Sequence, residues 1–529
     1  MEPPMRRTRM AAACIAASTL LASGCATTSA GTKGGDAFVF AIKTDPGLLD
    51  PAQAKNGSSY TAVSLAYDTL VSTDASGRIV PGLADTWTVR PSSVTFALHK
   101  GATCADGSPV TPDTVAANVR YITNPKNQSP AYGILVPPDM TATPDNAAGT
   151  VTLSTPRPYS FILQSTRYLF IVCGAGLKDR RLLSKGTSGS GPFQLTSAEP
   201  NQSYTYIRRK DYTWGPAGVP VADRPGKVVL RVLPSEGTIA NELLSHHLNG
   251  AMLAGPDRAR VTNVPGLTAT DQQNGTHEFF FHQGPGHPGS DPAVRKALLA
   301  AVNLTDLGAV VTSGTGRPPT GLVTQPRPCT GDTVTGHLPD YDPHAAAQQL
   351  DAAGWTQPSP GAIRVKNGRK LTFRFIYSSS GGETMAAAAE YLADAWKQVG
   401  ADVRLRAVSD AAYFQVEAIE QNWDLNWAPL GVTLPSQLTG LLSGPFTPDG
   451  NNFAHIRNTT YDRLTAKAAT LPVEVGCPLW NKAETALFKN ADLIPVVDKT
   501  QTVAAYGATF RISSGMFAPT TIRMTGGSR

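Results

Sequence analysis

TFALHKGATCADGSPVTPDTVAANV, residues 95–119, carries a strand, a tight turn and a helix start in one short run. SVTFALH (Ser93–His99) is rich in β-branched and aromatic residues and reads as a strand. Asp106-Gly107 supplies a tight turn, because glycine reaches backbone angles closed to other residues. Thr111 is placed to cap a helix whose first residue is Pro112, where the missing N–H costs nothing. Upstream, AFVFAIK (Ala37–Lys43) reads as another strand, and SSYTAVSLAYDTLV (Ser58–Val71) repeats apolar residues at helical spacing. Downstream, Asp291–Asn303, Asp342–Trp355 and Gly382–Gly400 read as helices. The last ends at a glycine and runs into the strand ADVRLRAV, the C-cap pattern of an α/β unit. The chain is therefore mixed α/β, and 529 residues require two or three lobes.

The first residues are of another kind. Arg6, Arg7 and Arg9 precede an apolar run, Ala11–Ala22, and then Ser23-Gly24-Cys25. A basic start, a short apolar core and small residues before a cut describe a secretory signal, here residues 1–24. The run is too short to span a bilayer. Small residues just before a cysteine resemble the lipobox of bacterial lipoproteins, which implies lipidation of Cys25. The sequence departs from that pattern at Ala22, where a large aliphatic is usual, with Leu21 one place earlier. Residues 25–35 read as a lipid-anchored tether, since Ala26–Gly35 is small and polar.

Composition excludes several classes. Without the signal, 43 basic and 39 acidic side chains leave +4, scattered along the chain, which does not suit nucleic acid. After the signal no segment has 18 uninterrupted apolar positions. There is no Gly-x-Ser-x-Gly and no phosphate-cradling loop; GTSGSG (Gly186–Gly191) misses the first spacing. HEFFFH (His277–His282) is one residue too long for His-Glu-x-x-His and reads as a buried strand. His246 and His247 are adjacent and share no helical face. No metal site and no cofactor are expected. Four body cysteines, Cys104, Cys173, Cys329 and Cys477, suit an oxidising compartment and allow three pairings, among which spacing does not choose.

PGLADTW, the 95–119 stretch, GSGPFQL (Gly189–Leu195), RRKDYTWGPAG, DPAVRKALLAAVN, WDLNW, NNFAHIRNTTYDRLTAKA and LIPVV occur in that order. Together with Leu49-Asp-Pro51 and YDTLV (Tyr67–Val71), they resemble the extracellular solute-binding proteins of peptide and nickel ABC importers, the oligopeptide-binding type. The resemblance covers nearly all of the chain after Gly35. It implies a periplasmic-binding-protein type II-like α/β fold with two large lobes and an interlobe ligand cleft. Lobe I would take residues 36–66, 186–281 and 500–529; an inserted subdomain, 67–185; and lobe III, 282–499. Keeping each pair within one body favours Cys104–Cys173 and Cys329–Cys477. The resemblance implies a monomer at the extracellular face of the membrane that captures a peptide-like or other small polar solute. It would close on the solute and deliver it to permease subunits.

Peptide-binding relatives hold the ligand's ammonium with an aspartate after the late Tyr-Asp strand. Here WDLNWAPLGVTLPSQLTGLL has no acidic residue between Asp424 and Asp449. An unpaired buried cation is costly, so a free peptide becomes a poor candidate unless Glu383 or Glu417 substitutes. By resemblance, Trp427 is a wall of the cleft or core, and His282 and Gln283 lie where the chain crosses between lobes. Asn56, Tyr60 and Tyr413 face the cleft in the same way, while Gly189, Gly191 and Pro192 serve a chain reversal. Two other functions stay open: a cleft recruited for cyclisation or condensation by orientation alone, and an exported sensor that feeds no permease. The binding reading assigns no catalytic residue.

Overall fold

The computed structural model describes residues 37–324, 326–513 and 516–526. The signal, Cys25, the tether and Asp36 lie outside them. Ten strands form one continuous sheet. On the lobe III side the order is Asp402–Val408, Thr372–Ser378, Leu425–Trp427, then Leu267–Phe281 and Leu493–Tyr506. It continues into lobe I with Gly250–Leu253, Ala37–Ile42, Lys227–Val232, Ser203–Arg208 and Phe193–Glu199. The two long antiparallel strands at the centre pair with both halves of the sheet and are the hinge strands that the two-lobed resemblance implies. Their pairing is interrupted by a bulge between Gln273 and Thr276, which bends the ladder and sharpens its twist.

Phe279 and Phe281 share a core with Phe373, Phe375 and Trp396. On the second strand, Leu493–Val497 face lobe III while Thr502 pairs with Leu253 of lobe I. The inserted subdomain carries its own four-stranded sheet, with Ser93–Leu98 at its centre, and the helix Pro112–Ile122. Tyr67, Phe170, Val172 and Leu183, within or at the edge of the expected 67–185, share a core with Phe38 and Phe193.

Turns and helix starts follow from chemistry between neighbouring residues. Gly107 adopts φ 81°, and Ser108 N donates to Asp106 Oδ1. Thr111 and Thr114 form a reciprocal capping box with Pro112 at the first turn. Asp291 and Asp342 cap helices that begin at Pro292 and Pro343. The expected helix over Ser58–Val71 stops at Ala66. Beyond it Asp68 is buried and accepts from Ser190 Oγ, Tyr212 Oη and Trp214 Nε1, at 2.9–3.0 Å. Three donors converging from distant segments outweigh the local helical pattern. Disulfides pair Cys104 with Cys173 and Cys329 with Cys477, the connectivity favoured above.

Candidate functional site

Three parallel strands of lobe III end together at Ser378, Val408 and Trp427. Carboxyl edges of parallel strands are natural binding places, because the loops leaving them diverge and open a crevice. A cavity of about 430 Å³ lies there. Tyr413 and Phe414 reach it from the short helix Asp410–Phe414, and Glu417 and Ala418 from a π-helix, Gln415–Glu420. Trp427 to Leu430, Leu441 and Phe453 complete the lobe III wall, and Ile134 of the inserted subdomain faces them.

The polar groups form a chain. The Tyr413 hydroxyl lies 2.6 Å from Asn426 Oδ1 and 3.0 Å from the Trp427 carbonyl, and donates to this pair of acceptors. Asn426 Nδ2 donates to Glu417 Oε1 at 2.7 Å. Burial pushes the Glu417 carboxyl up to about 7, partly offset by that hydrogen bond. Burial likewise raises the Tyr413 phenol, and the nearby Glu417 and Asp410 add to the effect. Leu430 N donates to Glu278, a fully buried carboxyl on the hinge strand, so the loop after Trp427 is tied to the hinge. Lys499, half-buried on the second hinge strand, is the nearby cation; burial lowers its proton affinity while Glu278 raises it.

Of the residues expected at the cleft, the structure brings Tyr413 and Trp427 together and separates the rest. Trp427 is only 1% exposed. Its ring packs near Phe279 and Phe375, and its Nε1 donates to His277 Nδ1 at 3.1 Å, so it is chiefly core. His282 is 2% exposed. It stacks on His287 at 3.7 Å, meets Trp423 edge-on, and its amide bonds Asp424 at the opposite end of the strand from the cavity. Gln283 donates to the Asp492 carbonyl at 3.2 Å, within lobe III. Asn56 caps the helix Gly57–Ala66 by accepting from Ser59 N, and Tyr60 packs near Phe170. These four do not line the cavity, because capping, stacking and core hydrogen bonds already occupy them. Glu383 is exposed in the first turn of Gly382–Gln398.

Residues the sequence reading missed are Asn426, Phe414, Phe453 and Ile134. Asn426 follows Leu425 on a strand whose alternation could have been read; Ile134 had no local signal. Among the described residues no group of three or more His, Cys, Asp or Glu could hold a metal ion, and no helix is long and apolar enough to cross a membrane.

The inserted subdomain rests on lobe III through a separate contact. Tyr159 Oη lies 2.9 Å from Ser436 Oγ, Ser160 Oγ donates to the Ala468 carbonyl at 2.7 Å, and Tyr168 Oη lies 2.6 Å from Thr433 Oγ1. Phe161 is buried against Trp480, Leu434, Ala468 and Cys329.

Comparison with known proteins agrees with this architecture. The profile of the bacterial extracellular solute-binding proteins, family 5 (middle), matches residues 78–451. The periplasmic murein peptide-binding protein MppA of Escherichia coli is 25% identical over 496 residues, covering 87% of each chain. The nickel-binding periplasmic protein of the same organism is 27% identical over 379 residues, covering 67% of this chain and 68% of that one. Among solved structures, a substrate-binding protein from Microbacterium hydrocarbonoxydans complexed with 4-hydroxybenzoate hydrazide has a TM-score of 0.73 and 25% identity. That match covers 93% of this chain and 100% of that one. Family 5 proteins bind solutes or peptides for ABC importers, outside the cytoplasm and without catalysing a reaction. With a mixed helix and sheet architecture consistent with two α/β lobes and a family match spanning most of its length, this chain belongs to the bacterial extracellular solute-binding proteins, family 5.

Proposed function

We propose that this protein is the lipid-anchored binding component of an ABC importer. It captures a small solute in the cavity between lobe III and the inserted subdomain, and hands it to membrane permease subunits. The observation that carries the reading is the composition of the cavity wall: Ile134 comes from one body, and Tyr413, Phe414, Glu417 and Phe453 from the other. A ligand shifts an open–closed equilibrium only through its differential affinity for the two states, and a solute touching both bodies has that difference. About 430 Å³ suits a small molecule rather than a long peptide. The aromatic hydrazide held by the Microbacterium relative is a molecule of that size class. Cys25 and the tether Ala26–Gly35 would keep the binder near its permease at high effective concentration.

The test is native mass spectrometry of the purified protein for a co-purified small molecule, followed by titration of that molecule into wild type and Ala428→Trp. Filling the cavity with an indole should weaken binding by about tenfold or more at unchanged melting temperature. Full affinity in the filled variant would place capture elsewhere and overturn the proposal.

A further inference from the structure

The cavity has a one-sided charge inventory. Its wall contains two carboxyls, Glu417 and Asp410, and no lysine, arginine or histidine. Asp410 is exposed, and its Oδ1 accepts from the hydroxyls of Ser378 and Ser380. Glu417 is half-buried; Oε1 accepts from Asn426, and among the described residues Oε2 has no partner and the carboxyl no ion pair. The remaining wall is largely apolar: Phe453, Leu430, Leu441, Ile134 and Phe414. Phe414 is 68% exposed although it lines a cavity, an apolar face that a bound molecule would cover.

The backbone that presents Glu417 is itself unusual. Gln415–Glu420 is a six-residue π-helix that ends at Gln421 in the left-handed region, φ 49°. π-Helical turns are rare and cluster at functional sites, because their wider winding gives up regular hydrogen bonding to re-aim side chains. Here the winding carries Val416 and Ala418 into buried positions and Glu417 to the hydrogen bond with Asn426.

From this geometry we infer the class of solute: an organic monocation, one ammonium-like nitrogen on an apolar, ring-bearing body, with no free carboxylate or phosphate. The inference rests on the reading of this cavity as the capture site. A buried ammonium needs a carboxylate partner, and Glu417 offers an unengaged oxygen. An anionic group would lie between like charges with no counter-charge in the wall. A free peptide, with a terminal carboxylate as well as an amine, is therefore a poor occupant. Burial raises the proton affinity of Glu417, a cost that a cation bound beside the carboxylate would offset. The ring-bearing body matches the exposed Phe414 and the buried Phe453.

Three probes of matched shape test this: tryptamine, a cation at neutral pH; tryptophol, neutral; and indole-3-propionate, an anion. Each is titrated calorimetrically into the purified protein and into Glu417→Gln and Ala428→Trp. The expected result is tryptamine binding about tenfold tighter than tryptophol, with indole-3-propionate weakest. Glu417→Gln should bring tryptamine down to the tryptophol affinity. Indole-3-propionate binding as tightly as tryptamine overturns the inference. So does tryptamine affinity that survives Glu417→Gln, or no tryptamine binding at about 1 mM. Binding lost in Ala428→Trp but unchanged in Glu417→Gln sinks only the charge assignment. Binding unchanged in Ala428→Trp sinks the cavity as the capture site.

Discussion

His277 and His282 are both held neutral in the folded chain, with proton affinities pushed down to about 3 by burial. For His277 the charge of Lys499 adds to the effect; for His282, His287 and His455 do. An unfolded histidine titrates near 6.5. Between roughly pH 6.5 and pH 3 the unfolded chain therefore binds protons that the folded chain refuses, and stability falls as pH drops. Asp68 and Asp498, held up to about 6, and Glu417, up to about 7, act in the opposite sense. Their contribution is lost as pH rises from about 4 to 7. His282→Phe keeps an aromatic ring against His287 and Trp423 but removes one titrating group. The loss of unfolding free energy between pH 6.5 and pH 4.5, followed by urea denaturation, should shrink by about 1–2 kcal/mol. An unchanged pH slope would mean that His282 protonates freely inside the fold. No sequence pattern announced this histidine's role: it lies just after a strand end, and only packing turns it into lobe III.

Among elements, the turn that follows the inserted subdomain is the most constrained. Gly191 N donates to the Ala66 carbonyl at 2.9 Å. A Cβ added at Gly191 would sit 2.4 Å from the Ala66 carbonyl carbon and 2.6 Å from Tyr67 N, both backbone atoms that cannot swing aside. Gly191→Ala should therefore destabilise lobe I by about 1–3 kcal/mol, seen as a lower melting temperature. A melting temperature equal to wild type would show that the two segments can part at no cost. The structural role expected for GSGPFQL rests on this close approach. Helix starts at Pro112, Pro292 and Pro343 were equally legible, because an N-cap is chemistry between residues two or three apart. The π-helix was not, since Gln415–Glu420 carries the same residue types as an ordinary helix.

At the scale of the whole molecule, lobe III and the inserted subdomain meet at Phe161, fully buried among Trp480, Leu434, Ala468 and Cys329. The Cys329–Cys477 disulfide anchors the loop that forms one side of this socket to the helix carrying Trp480. Phe161→Ala removes a buried ring, a loss of about 3 kcal/mol or more, from a contact that forms only when the two bodies touch. The variant should favour the open arrangement, measured as a larger radius of gyration in solution scattering without ligand, and should bind solute more weakly. An unchanged radius would show that the socket does not hold the bodies together. Taken alone, the sequence determined the mixed α/β class, the order of elements, the export signal pattern and the family resemblance. Each of these is written in neighbouring residues or in the order of segments. The tertiary structure alone decided that Ile134 faces Phe414 and Glu417, that Asn56, His282 and Gln283 are engaged elsewhere, and which cysteines pair. Those facts depend on contacts between residues far apart in the chain. Strand order and hinge geometry set such contacts, and no local pattern encodes them.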